Sequence, residues 1–514
     1  MGRCTQVFAI LPLVLIVGIP FALRPARQAD EQADPSARLV ILSPHNEQIR
    51  YEFGRAFNDH RLSQGKSPIE FDWRTPGGTS DLIRIIESSF VERAKKGVAD
   101  RGIGYDMLFG GGDFYFDILA RGYTAEVDGQ DVHVPVLAPI DLTRQQLDAI
   151  YGGQTLADKY LYRLDEQGRP IWIGATLSSF GIVYNRDRLA MLGVPEPTTW
   201  ADLAQGAYLN ELALADPSHS GSIAATYNTI LQRHGWTEGW RILRRMGGNA
   251  RYFSSGASAV PVDVSAGEAA AGLCIDFYGR FQAGAVARQR VGYVDPPRMT
   301  SITADPIGIL VGAEHMALAQ EFAAWVVSPE AQALWQRRVG APGGPQRFEL
   351  RRVPIRPDMY HEQEMALWVD QVRPFEIAEP VAEGTPDFFS AVAVVMQATA
   401  ISVHADLKLA WKAMLVHPDH LNRSRMQALF DAMPPELDLT PADDPRVQPH
   451  LAAYRDPDHP EHDTARRALE SLLVARLKAR YKQSDDPDLS YRDRARWTRF
   501  FQDNYRQVVA LSEQ

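Results

Sequence analysis

The sequence predicts an α/β fold followed by a helical carboxy-terminal region. Three observations predict it. Short β-like runs alternate with amphipathic helical patterns from Arg38 onward, turns rich in Gly, Ser and Thr stand at the joins, and strand signals fade beyond about Glu379. Such alternation implies largely parallel sheets.

The elements follow in order. LVILS (39–43) reads as a buried strand, and Ser43-Pro44 supplies a cap and a first-turn proline for a helix whose apolar face is Ile49, Phe53, Ala56 and Phe57. IEFDWR (69–74) is a second strand, TPGGTS a tight loop, and DLIRIIESSFVERAKK an amphipathic helix. YDMLFGGGDFYFDILARGY (105–123) gives a strand, a glycine loop and a helix. IWIGATLSSFGIVYNRDRL (171–189) reads as two strands with a polar serine corner between them. A helix from about Gly221 to His234 is closed by Gly235 as C-cap. AGLCIDFYG (271–279) is a strand with a polar end, and the helix 317–327 breaks at Ser328-Pro329 and restarts. Beyond 379, charged helical segments alternate with proline-rich pieces, without internal repeats.

A length of 514 residues favours two or three domains. With 45% apolar residues, 23% charged residues and a net charge of -10, the composition is that of a soluble globular protein and disfavours a nucleic-acid surface. The amino terminus differs. Val7 to Leu23 carries no charge and is flanked by Arg3, Arg24 and Arg27, so residues 1–28 form a signal peptide or an amino-terminal membrane anchor. No small-x-small cleavage site follows at the usual distance, which favours tethering. Cys4 precedes the run and Cys274 lies far beyond it, so no disulfide joins them, and Cys274 reads as a small buried apolar residue.

The recurring device is a strand end, a hydroxyl- or glycine-rich turn, and a helix start. Strand ends and helix starts converge on the crevice of open α/β sheets, and free N–H groups there favour anions. Thr75-Pro76-Gly77-Gly78-Thr79-Ser80 and Asp216-Pro217-Ser218-His219-Ser220-Gly221-Ser222 fit this best and together could clamp an oxyanion. Each corner alone is also an ordinary helix cap. Asp81 would repel an anion if it pointed inward. His45 stands in the first helical turn, where the dipole disfavours its protonated form.

LVILSPHNEQI, FDWRTPGGTSDLI, DMLFGGGDFYFDIL, GIVYNRDRL, DPSHSGS, VPVDVSAGEAAAGLCIDFYG and FAAWVVSPEAQALWQ occur in an order that resembles the extracellular solute-binding proteins of ABC importers, specifically the ferric-iron-binding and organophosphate-binding periplasmic receptors. The resemblance covers roughly residues 38–360. It implies a type II periplasmic-binding fold, with residues 38–135 and part of 285–345 as the first α/β lobe and 140–284 as the second. Residues 380–514 are then a helical extension. It also implies a periplasmic monomer that closes on its ligand and docks to a membrane permease.

Iron-binding relatives use a histidine at the first helix start and a vicinal tyrosine pair. His45 and Tyr278 match, but Phe277 stands where the other tyrosine belongs, which demotes Fe3+ to the alternative ligand. Organophosphate-binding relatives surround a phosphoryl group with hydroxyls and backbone amides. The candidate ligand residues are accordingly Ser43, His45, Asn46, Gly78, Thr79, Ser80, Gly112, Ser178, Ser179, Ser220, Gly221, Ser222, Asp276 and Tyr278, holding a phosphorylated or phosphonate metabolite. No cofactor is expected.

Other classes fare less well. Asp276, Glu268, His45 and the serines could be imagined as catalytic, yet no GxSxG elbow, HExxH pair or phosphate-cradling GxxxxGK[ST] loop is present. His417-Pro418-Asp419-His420 and His459-Pro460-Glu461-His462 could supply four metal ligands but read more simply as solvated turns. The helix 464–482 has leucines on one face and arginines around it, and is expected to pack on the lobes, the alternative being contact with a partner or membrane surface. A tethered sensor without transport shares every feature of the cleft.

Overall fold

In the first lobe, β1 (Arg38–Leu42) runs parallel to both β2 (Glu70–Arg74) and β3 (Met107–Phe109). Each strand is followed by a helix: α1 (Glu47–Ser63), α2 (Thr79–Lys95) and α3 (Asp113–Arg121). The computed structural model describes residues 37–98, 101–152, 161–285, 289–377, 379, 381–416, 421–482 and 489–514. The amino-terminal apolar run and the His417–His420 cluster lie outside these. Ile49, Phe53 and Phe57 of α1 and Leu82, Ile86 and Phe90 of α2 are buried, as helical spacing requires. The start of α1 differs from expectation. Its N-cap is Asn46, whose Oδ1 accepts from the Ile49 N–H at 3.1 Å, so His45 precedes the helix. Ser43 is not the cap because its hydroxyl donates to the Phe109 carbonyl at 2.8 Å and accepts from the His45 N–H.

The segment expected as two strands is one, β4 (Pro170–Asn185), with all sixteen residues buried. The serine corner does not form because both hydroxyls find buried ionic partners: Ser178 accepts from Arg352 and Ser179 donates to Asp295, each at 2.6 Å. Then follow β5 (Leu212–Ala215), α4 (Gly221–Asn249), β6 (Ala250–Ser254), α5 (Ala259–Ala266), β7 (Ala271–Ile275), α6 (Asp276–Ala285), β8 (Val291–Val294), β9 (Ile302–Leu310), α7 (Met316–Val326) and α8 (Pro329–Ala333). The end of the AGLCIDFYG segment is thus the first turn of α6. Gly235 does break its helix, at φ 78°, but the chain re-enters helix at once.

The main sheet runs β6-β5-β7-β4-β9-β3-β1-β2, with β8 also on β4. It is mixed rather than largely parallel, since β4 and β9 cross between the lobes and pair antiparallel with their neighbours. The first half of β4 pairs with β9 and its second half with β7 and β8, so the hinge is built from continuous strands.

The extension is helical: α9 (Phe389–Met396), α10 (His404–Val416), α11 (Arg423–Asp431), α12 (His462–Lys482) and α13 (Leu489–Ser512). It shares one core with the second lobe, where Tyr227, Trp236, Trp240 and Met246 of α4 meet Val392, Met396, Trp411, Phe430 and Tyr505. The Gly235 break leaves the Trp236 N–H without a helical acceptor, and Glu470 of α12 takes it at 2.8 Å. Leu469 and Leu473 are fully buried, so α12 packs as its pattern implies. His459 Nδ1 accepts from the Glu461 N–H, and His462 stacks on Tyr454. Among the described residues no cluster of His, Cys, Asp and Glu could hold a metal. Cys274 is a buried free thiol.

Candidate ligand cleft

The topology aims strand ends and helix starts of both lobes at one cavity of about 470 Å³. The first lobe contributes His45, the start of α2 and the glycine loop before α3; the second contributes the start of α4, Ser255 to Ser258, and Phe277 and Tyr278. Ser178, Phe180 and Thr303 to Asp305 come from the crossing strands, with Arg352 and Phe389 beyond them in sequence.

Two helix starts face each other there. At α4, Ser220 is the N-cap and accepts from the Ile223 N–H at 3.4 Å, with the Ser222 hydroxyl 3.2 Å away. Asp216 Oδ1 accepts from the N–H and hydroxyl of Ser218, fixing the loop that delivers this start. At α2, Gly78 is the N-cap. A Cβ on Gly78 would lie 2.4 Å from the His219 carbonyl oxygen, so only glycine lets the two corners approach this closely. N–H groups in a helix's first turn have no intrahelical acceptor, so Thr79, Ser80, Gly221 and Ser222 present amides at these starts. Asp81 also lines the cleft, where its carboxylate accepts from the Gly78 N–H at 3.1 Å and its charge is paired with Arg84.

The third helix start is already filled by the protein. Asp305 Oδ1 accepts from the N–H groups of Gly111 and Gly112 at 2.6 and 3.1 Å, ahead of α3, where positive φ values of 124° and 85° demand glycine. Its Oδ2 accepts from Arg352 Nη1 at 2.6 Å and lies 3.1 Å from His45 Nε2. Arg352 Nη1 is itself 2.8 Å from His45 Nε2, Nη2 donates to Ser178, and the guanidinium lies over Phe277. Burial pushes the Asp305 carboxyl up, but the Arg352 guanidinium and the His45 hydrogen bond overcome it and hold the group well below the usual carboxylate range. Burial lowers the His45 imidazole against the opposing pull of Asp305, favouring the neutral ring.

Of the residues nominated from sequence, His45, Gly78, Thr79, Gly112, Ser178, Ser220, Gly221, Ser222 and Tyr278 line the cleft. Ser43, Asn46, Ser80, Ser179 and Asp276 stand behind its wall. Ser43 ties β1 to β3, Asn46 caps α1, Ser80 shares a hydrogen bond with Tyr115, and Ser179 binds Asp295. Asp276 is fully buried with both oxygens outside hydrogen-bond geometry to any described residue, and burial pushes its carboxyl up to about 7. Sequence reasoning missed Asp305, Arg352, Asp113 and Phe389. Burial likewise pushes Asp113, at the start of α3, up to about 7. Arg352 had a signal: LRRVPI (350–355) sets two arginines inside an apolar run.

Residues 154–371 match the family of bacterial extracellular solute-binding proteins. The phosphoglycerate transport regulatory protein PgtC of Salmonella typhimurium is 26% identical over 162 residues, which is 32% of this chain and 40% of that protein. The chain thus spans less than half the length of that curated relative. Among solved structures, the periplasmic binding protein P5PA superposes with a TM-score of 0.50 at 18% identity, over 70% of this chain and 94% of that one. The periplasmic binding protein AfuA of Actinobacillus pleuropneumoniae, solved with fructose-6-phosphate, gives a TM-score of 0.45 at 17% identity, over 58% and 81% of the two chains. The fold is the type II periplasmic-binding fold with a helical extension. The likeness to the bacterial extracellular solute-binding proteins covers residues 154–371, less than half of the chain.

Proposed function

We propose that this chain is the periplasmic capture component of an ABC import system and takes a small phosphorylated or phosphonate metabolite into the interlobe cleft. The observation that carries this reading is the facing pair of helix starts, where Thr79, Ser220 and Ser222 bring hydroxyls beside free backbone amides. Closure of the lobes around the anion presents a changed surface to a permease, and residues 7–23 serve as export signal or tether. The likeness to the Salmonella phosphoglycerate transport regulatory protein supports a phosphorylated ligand. Ferric iron fits less well, because a buried guanidinium sits 2.8 Å from His45 Nε2 and repels a cation there, and Phe277 has no phenolate.

That same relative's regulatory name favours a second reading, in which the cleft reports occupancy to a signalling partner without transport. Uptake of radiolabelled ligand by cells lacking the chain separates the two: lost uptake means capture, whereas intact uptake with lost transcriptional response means sensing.

The ligand class is tested by thermal unfolding of the purified chain with phosphoglycerates, sugar phosphates, phosphonates, inorganic phosphate and ferric citrate. A ligand at a hundred times its Kd stabilises the folded state by about 2.7 kcal/mol. A rise in Tm with an organophosphate supports the reading. A rise with ferric citrate and with none of the phosphorus compounds refutes it.

A further inference from the structure

Phe389 opens α9 in the carboxy-terminal extension, yet its ring is on the wall of the ligand cleft. It stacks on Phe114 with ring centroids 3.8 Å apart and planes 24° from parallel, and it meets Tyr115 edge-on at 5.6 Å. Phe114 and Tyr115 belong to α3 of the first lobe. Phe389 is carried by the second. Val392, Val395 and Met396 of α9 share a core with α4, Asn228 Oδ1 accepts from the Phe388 N–H at 2.9 Å, and the Phe388 ring lies 5.2 Å from Trp236.

The extension grips the ligand corner as well. Gln397, in the π-helical turn Gln397–Ile401, donates through Nε2 to Asp216 Oδ2 at 2.5 Å and to Ser218 Oγ at 3.3 Å. Single π turns in a helix recur at functional sites, where they re-aim side chains. The aromatic wall also abuts the α4 start, since a Cβ on Gly221 would lie 2.8 Å from Tyr115 Cε2. The stack therefore bridges the lobes at the cleft wall, whereas the crossing strands β4 and β9 join them through the sheet.

We propose that the carboxy-terminal extension is a clasp for the ligand cleft: Phe389, carried by the second lobe, closes on Phe114 and Tyr115 of the first, and this stack parts before a ligand leaves. The clasp also supplies an aromatic wall for the carbon skeleton of a ligand whose anionic group sits at the helix starts. That last feature rests on the phosphorylated-ligand reading above; the clasp itself rests on the contact.

The test reads the interlobe distance without ligand, in the full-length chain. Nitroxides are placed at Leu62→Cys on the first lobe and Met191→Cys on the second, both exposed, with Cys4→Ser and Cys274 left in its buried site. Pulsed electron spin resonance then gives the ratio of short to long separations. An aromatic pair of this kind is worth enough that Phe389→Ala and Phe114→Ala should each lower the ratio by about two- to tenfold. The double variant should lower it no further than Phe389→Ala alone, which already removes both ring contacts, and Phe389→Tyr should keep the original ratio. Distributions that are unchanged in both alanine variants overturn the proposal. Phe114 is only half-buried and lies outside the extension, so it probes the same contact even if Phe389→Ala does not fold. A ligand panel that answers to iron alone would sink the phosphate reading and leave this distance measurement intact, so the two failures are distinguishable.

Discussion

Arg352 Nη1 donates to Asp305 Oδ2 at 2.6 Å, joining a crossing strand of the hinge to a segment 47 residues further along the chain. Asp305 sits where the pairing of β9 with β4 shifts register, and its other oxygen closes the glycine loop before α3. One carboxylate thus satisfies a helix start and a guanidinium together. Because α3 is served internally, the helix starts left open to the cleft are those of α2 and α4.

Breaking this pair from one side leaves a buried charge uncompensated, which costs about 3–5 kcal/mol. Asp305→Leu and Arg352→Met should each lower the urea midpoint accordingly. The Asp305→Leu, Arg352→Met double variant should lose much less than the sum of the two, since no orphaned charge remains. Equal, additive losses would mean that the two side chains act independently.

Gly78 tests the facing corners. Its φ of -74° suits any residue, so alanine adds no backbone strain, but its Cβ would meet the His219 carbonyl at 2.4 Å. That contact exists only while the lobes are together. Gly78→Ala should therefore keep the unliganded Tm within a few degrees while weakening binding of the compound identified by thermal shift at least about tenfold, about 1.4 kcal/mol. Titration calorimetry reads the affinity, and small-angle scattering reads the loss of closure. Unimpaired affinity would remove Gly78 from the closed interface.

The corners at Thr79 and Ser220 to Ser222 were legible in the sequence because helix-start chemistry is local: the residue that caps and the amides it leaves free lie within one turn. β1, β2, β3 and the helices after them were legible for the same reason. The continuity of β4 was not, because what satisfies Ser178 and Ser179 lies 174 and 116 residues away. Asp305 and Arg352 escaped notice on similar grounds, since a buried charge is intelligible only beside its partner. The capping of α1 by Asn46 rather than Ser43 turned on a hydroxyl drawn off to Phe109, which no local pattern records. Phe389 belonged to a region whose composition showed helices but not which surface they cover.

Asp276 gives a pH signature. Burial raises its carboxyl from the ordinary value near 4 to about 7, so the folded state holds this proton more tightly than the unfolded chain. The group's contribution is fully present below the unfolded pKa and is lost as pH rises through about 7, at about 1.4 kcal/mol per pH unit between the two values. Asp276→Asn should flatten that part of the stability profile, with little effect at pH 4 and a gain in Tm at pH 8. Asp113 has the same direction and the same value, so some decline persists in this variant. An unaltered profile in Asp276→Asn would assign the pH dependence elsewhere.

The extension is a structural part of the second lobe, which makes truncation a sharp test. Ending the chain after residue 379 opens the core in which Tyr227, Trp236, Trp240 and Met246 of α4 are buried together with side chains of the extension. Removing the packing of a single buried aromatic side chain costs about 3–5 kcal/mol, and a domain's whole stability is about 5–15 kcal/mol, so losing several such contacts at once exceeds it. The truncated chain should aggregate or expose apolar surface to a fluorescent dye. The point variant Glu470→Ala, which orphans the Trp236 N–H, should fold but lose about 1–3 kcal/mol, and Glu470→Gln should recover most of that through the same hydrogen bond. A soluble, cooperatively unfolding truncation would show instead that the second lobe completes its own core, and that the extension is a separate unit resting on it.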